Sequence, residues 1–299
     1  MNIHTTATST GGILESHLTA LGRQGLPCTF HSPDHASFML KTKHVNVKYD
    51  GDSCLSFFLN TNFSGRLQLR RYVRTYCRHP EPYKVILKDG KPFLLLELWT
   101  GESCQTEAVL EHAIHVVSHM TGQGGGASAR DSASLPTDTH DSIQQILEQL
   151  PYQFRLSESG WTGGYDTSHF FNRIMAAAYA AQGVGMVRFE ISDDPLSGDD
   201  TRVLDALARL FLEANAKTRF VRYGLTPTRG GKLVPVMESV IPLSLLTENS
   251  ARAHLAALSV GAARVRAEVK ALADPSVAEA YLRFTEPALR LPTGAACHD

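Results

Sequence analysis

Apolar positions that alternate, or recur at helical spacing, divide this chain into one series of elements written twice. "ILESHLTAL" carries Ile13, Leu14, His17, Leu18 and Leu21 at helical spacing, and "SIQQILEQL" does the same with Ile143, Ile146, Leu147 and Leu150. Strand-like sequence follows each. Val45, Val47 and Tyr49 alternate with His44, Asn46 and Lys48, which predicts one buried and one wet face; "CLSFFLN" comes next. In the second series "YQFRLS" and "MVRFEIS" are the clearest strands. Between them, "NRIMAAAYAAQ" reads as helix from its alanines and as strand from its place in the series.

Each series then passes through Ser-Gly (Ser64-Gly65, Ser197-Gly198) into a middle helix. In the first, Leu69, Tyr72, Val73 and Tyr76 make the apolar face; in the second, Val203, Leu204, Leu207, Leu210, Phe211 and Ala214 do. A hairpin comes next. "ILKDGKPFLLLELW" turns at Asp89-Gly90, and "TPTRGGKLVPVMES" repeats Gly-Lys and a later Glu at one offset: Gly90-Lys91 with Gly231-Lys232, Glu97 with Glu238. A last helix closes each series, near Thr106 to Met120 in the first. The second carries Leu255, Leu258, Ala262, Val265, Val269 and Leu272, a narrow seam suited to helix packing.

Between the two series, "TGQGGGASARDSASLPTDTHD" is too poor in large apolar residues to bury a core and reads as a flexible linker. The expected organisation is a first domain over 1–121, a linker over 122–141, a second domain over 142–273, and a C-terminal helix with a disordered tail over 274–299. The fold class is α+β: two tandem repeats of a small antiparallel sheet covered by helices, in the order α-β-β-β-α-β-β-α.

The hairpin-plus-helix ends, "YKVILKDGKPFLLLELWTGESCQTEAVLEHAIHVV" and "RFVRYGLTPTRGGKLVPVMESVIPLSLLTENSARAHLAALSVGA", resemble those of the bacterial YbjN-like proteins and, through them, the class I type III secretion chaperones. The resemblance implies small α+β domains that pair and act by holding other proteins, with no catalytic residues and no cofactor to carry over.

Composition changes this picture little. The chain has 299 residues and a formal net charge of −1, so as a whole it is not built to attract nucleic acid. Residues 1–121 hold 12 Lys+Arg against 10 Asp+Glu and the remainder 17 against 20, too even to name a partner. Five scattered cysteines without Cys-x-x-Cys point to free thiols and a reduced compartment. "MNIHTTATSTGG" lacks the features of a signal peptide, and no apolar stretch approaches the roughly 20 residues of a membrane helix. A cytoplasmic protein away from membranes is expected.

Candidate chemistry is sparse, and no catalytic or metal-ligating set emerges. Arg66, Arg70, Arg74 and Arg78, joined by Arg71, form a slanted basic stripe on the first middle helix. Guanidinium groups so placed bind carboxylates or phosphates, which makes a nucleic-acid-associated regulator the second reading after a protein-binding chaperone or adaptor. His112, His115 and His119 lie opposite the apolar residues of the first series' last helix, so a wet face is expected rather than a zinc site. Cys28, His31 and His35 lack a fourth ligand and read as turn residues. The recurrence of Glu97 and Glu238 argues for a structural or surface strand position. "FLLLELW" is apolar at both parities, so Phe93, Leu94, Leu96 and Leu98 are expected at a domain or subunit interface, within one chain or between two, a dimer being favoured.

Overall fold

In a computed structural model, the chain is described at residues 14–15, 18–19, 26–40, 42–50, 54–60, 69–70, 73–74, 82–88, 91–100, 109, 111–117, 137–157, 160–167, 170–181, 184–196 and 200–285. It is mixed α+β with two six-stranded antiparallel sheets. The first sheet comprises β1 (Cys28–Ser32), β2 (His35–Leu40), β3 (Lys43–Tyr49), β4 (Cys54–Asn60), β5 (Tyr83–Lys88) and β6 (Lys91–Trp99). The second comprises β7 (Arg155–Ser157), β8 (Gly160–Thr167), β9 (Phe170–Ala181), β10 (Val184–Ser192), β11 (Arg222–Pro227) and β12 (Leu233–Pro242). Their spatial orders are β5-β6-β4-β3-β2-β1 and β11-β12-β10-β9-β8-β7, the same arrangement element for element. In both, the first strand of the hairpin is an edge.

Four strands precede each hairpin, where three were expected. The additional strand is short at both outer edges: β1 is bulged between Phe30 and Ser32, and β7 is three residues long. Neither is long enough to announce itself by periodicity. The ambiguous alanine run is strand β9, paired on both sides. Trp161 of β8 faces Ala176, so a bulky ring is matched by a small partner. Gly160, at φ 123, leaves no room for a Cβ, which would stand 2.3 Å from Ala176 O. Tertiary fit thus overrides alanine's helical propensity. Strand β3 alternates as its sequence predicts, with Val45, Val47 and Tyr49 buried and His44 and Lys48 exposed.

The helices of the second half are α1 (Thr137–Glu148), α2 (Thr201–Lys217), α3 (Glu248–Leu272) and α4 (Pro275–Thr285), with a short 3-10 turn at Leu243–Leu245. Helix α1 begins inside the span assigned to the linker, so Thr137–Asp141 is helical; residues 122–136 and 286–299 lie outside the described residues. Local chemistry sets the helix starts. Asp200 caps α2 by accepting from Arg202 N at 2.8 Å, and Thr247 and Ser250 form a reciprocal capping box on α3. Asp274 accepts from Ser276 N at 2.7 Å, with Pro275 as the first residue of α4. The seam predicted for α3 is buried throughout, and Gly261 lets Tyr223 Oη approach where a Cβ would stand at 2.4 Å. In the first half, residues 14–15, 18–19, 69–70, 73–74, 109 and 111–117 are helical, and Leu14, Leu18, Val73, Val109, Ala113, Val116 and Val117 are buried. Apolar residues of both halves form one continuous core. Among the described residues no helix is long and apolar enough to cross a membrane.

Candidate functional site: the seam between the sheets

The two inner-edge strands meet through polar groups that burial forces into pairs. Lys84 of β5 is 4% exposed; its Nζ lies 2.7 Å from Glu97 Oε2 of its own hairpin. The same ammonium crosses to the second half, donating to Thr218 O at 2.6 Å and Val221 O at 3.2 Å. Arg222 of β11 does the converse. Its Nε lies 2.5 Å from Glu238 Oε1 of its own hairpin, and its Nη1 donates to Tyr83 O at 3.1 Å across the seam. Asn215, in the last turn of α2, donates to Val85 O at 2.8 Å and accepts from Tyr223 N at 2.7 Å. The carbonyls of Tyr83 and Val85, two residues apart on an edge strand, are thus satisfied by side chains rather than by another strand. Asp50–Arg219 at 3.0 Å and a bidentate Arg70–Asp205 pair also join the halves.

Phe220 sits at the centre of this arrangement in a left-handed conformation, φ 58, uncommon for a bulky residue. Its N–H donates to Glu97 Oε2 at 2.7 Å, and its carbonyl accepts from Ser239 Oγ at 2.8 Å. Its ring stacks on His254 of α3 at 4.4 Å between centroids and meets Trp99 of β6 edge-on at 6.1 Å. Burial, with the Lys84 charge nearby, pushes His254 down to about 3, so its ring is neutral. Ser239 Oγ is 2.7 Å from His254 Nδ1 and gives its one proton to Phe220 O, so the imidazole is the donor between them. A nucleophilic serine needs the opposite polarity. This pair is a structural bridge. The space enclosed by Lys84, Glu97, Arg222, Glu238 and His254 is about 10 Å³, no more than one water occupies.

Behind Arg222, Glu238 is fully buried and also meets Arg188 Nε at 3.1 Å. Burial works against the Arg188 charge, but Glu238 and Tyr179 outweigh it and raise its affinity for the proton. The guanidinium lies 4.9 Å over the Tyr179 ring. No model of a protein family, no curated protein and no solved structure matches this chain.

The residues singled out from sequence fall as follows. Arg70 is bound by Asp205 and Arg74 is exposed; Arg66, Arg71 and Arg78 lie outside the described residues. Leu94, Leu96 and Leu98 are buried on the apolar side of β6 and Phe93 is half-buried. The polar and ring contacts of the hairpin with the second half run through Tyr83, Lys84, Val85, Glu97 and Trp99. The histidine stripe needs correction. His112 is 5% exposed, on the buried face with Val109, Ala113, Val116 and Val117, whereas Ile114 is half-buried. The apolar face is rotated from the one inferred, because Val116 belongs to it. Burial and neighbouring His115 push His112 down to about 4; His119 lies outside the described residues. Among the described residues no group of three His, Cys, Asp or Glu could hold a metal. Cys28 and Cys54 are free, and burial pushes both thiols up, away from reactive thiolate.

Sequence reasoning missed Lys84, Asn215, Arg222, Phe220 and His254. One signal was present. Each hairpin glutamate has a cation in the preceding strand, and a histidine follows Glu97 by 15 residues and Glu238 by 16. Among the described residues, the two buried histidines, His112 and His254, are that pair.

Proposed function

We propose that this chain is a non-enzymatic, chaperone-like or adaptor protein that holds other proteins, built as two related α+β units paired within one polypeptide. The observation that carries the reading is the seam, in which Lys84 of one hairpin and Arg222 of the other each donate to carbonyls of the opposite half. Mutual donation between two like units resembles, without repeating it residue for residue, the contact that joins the subunits of a two-fold dimer. The shared strand order supports an origin by duplication, each unit running helix, strands, helix, hairpin, helix. The resemblance to YbjN-like proteins and class I type III secretion chaperones supports a holding role, in the cytoplasm and without cofactor. With β5 and β11 turned inward, strand addition falls to the outer edges, where Phe30 and Leu156 are 46% and 70% exposed. Nucleic-acid binding by the arginine stripe is less well supported, since Asp205 engages Arg70.

Two measurements test this. Light scattering is expected to return 32.7 kDa, one chain; twice that mass would place the pairing between chains. A photo-cross-linking residue at position 30 or 156, in the cell of origin, is expected to trap one discrete protein. That protein, purified, should bind the unmodified chain saturably in low and high salt. No discrete adduct at either position would sink the holding role.

A further inference from the structure

Away from the seam, the second half holds an open cleft of about 680 Å³. Met175 of β9 and Ile191 of β10 border it; their side chains lie on opposite faces of the sheet, and that of Ile191 is buried in the core. Its charges are segregated by element. Asp193 and Asp194 follow β10, while Arg266 and Lys270 stand one turn apart on the same face of α3. The acidic turn is fixed in place: Asp193 N donates to Pro235 O at 3.0 Å, and Asp193 Oδ1 accepts from Asp194 N at 3.0 Å. Asp193 Oδ2 also approaches Arg266 Nε at 3.5 Å, which links the two sides. Asp194 and Lys270 are exposed, and no ion pair engages either carboxylate or ammonium among the described residues.

The cleft therefore presents one available carboxylate and one available ammonium. A simple anion would be drawn to Lys270 but repelled by two aspartates. A simple cation would meet the reverse. The molecule that satisfies both carries the two charges itself. We propose that this cleft binds a free amino acid or short peptide, with its ammonium at Asp194 and its carboxylate at Lys270. The site lies apart from the seam and the outer edges, so it stands or falls independently of the holding role.

The test uses the full chain and the tripeptide Ala-Leu-Ala, with its N-acetylated and C-amidated forms, followed by calorimetry and NMR shift changes. Saturable binding of the free tripeptide is expected, about fivefold or more weaker when either end is blocked. Asp194→Asn and Lys270→Gln should each weaken it similarly at unchanged melting temperature, since both side chains are exposed. The double reversal Asp194→Lys with Lys270→Asp should restore binding with the ends exchanged. Absence of saturable binding, equal binding of free and blocked peptides, or indifference to both single substitutions would overturn the site. Loss on blocking the carboxylate alone would make it an anion site and equally refute the proposal.

Discussion

The two hairpins occupy the same place in matching sheets, yet their glutamates work differently. Glu97 faces outward from its unit: its Oε2 takes Lys84 and the backbone N–H of Phe220 in the other half. Glu238 stays within its own sheet, fully buried between Arg222 and Arg188, and the seam is reached through Arg222. A two-fold interface between identical subunits would duplicate one solution. Here the first half contributes the Lys84 ammonium and the Glu97 carboxylate to the seam, and the second a guanidinium anchored from behind. The two glutamates thus occupy matching places in the hairpins and close the joint contact by different means.

The largest effect should come from Leu96→Asp. Leu96 is fully buried, and an unpaired carboxylate there should cost more than about 4 kcal/mol. Because the core is continuous across the halves, urea denaturation followed by circular dichroism should show a single weakened transition; survival of the second half as a separate transition would break the picture of one cooperative body. Glu238→Ala should come next, at about 3–5 kcal/mol, because it strands Arg222 and Arg188 in a buried place. Glu97→Gln should cost less, about 1–3 kcal/mol, since Lys84 keeps the carbonyls of Thr218 and Val221. Equal costs for the two substitutions would erase the asymmetry.

The paired histidines sharpen the comparison through pH. Both are held neutral by burial, His112 near 4 and His254 near 3, while in the unfolded chain they take protons near 6.5. Their contribution is complete above about pH 6.5 and is lost as pH falls toward 4 and then 3. Each makes stability fall by up to about 1.4 kcal/mol per pH unit in that window. His112→Gln should flatten the slope between pH 6.5 and 4, measured by urea unfolding at a series of pH values; an unchanged slope would contradict burial of this ring. The smallest effect concerns Phe220. Both Phe220→Ala and Phe220→Gly remove the ring, but glycine accepts φ 58, so the glycine variant should be the more stable by about 1 kcal/mol.

Periodicity made much of the fold legible. The alternation of β3 and the buried seam of α3 are found where spacing placed them, because burial on one face leaves a repeat of two or of three and four. Strand β9 was not legible, since its alanines favour helix and the decision lay with Trp161 and Gly160 on a neighbouring strand. His112 was misplaced because two adjacent stripes of one helix are both apolar, and tertiary contact chose between them. The seam was hardest. Lys84 and Arg222 look like ordinary strand cations, and their partners across the seam lie more than 130 residues away in the chain. The recurrence of the hairpin glutamates was visible, but their function depends on a contact no local pattern encodes.

The sealed edge of β5 also matters before the protein is complete. Its capping groups, Asn215 and Arg222, come more than 110 residues after Trp99 closes the first hairpin. At about 5–20 residues per second of synthesis, the first half waits on the order of 5 to 25 seconds on the ribosome with that strand uncapped. Nascent copies on neighbouring ribosomes present the same open strand together. Translation speed through residues 100–222, which nothing in the finished molecule reveals, thus bears on how much of the chain reaches its paired state.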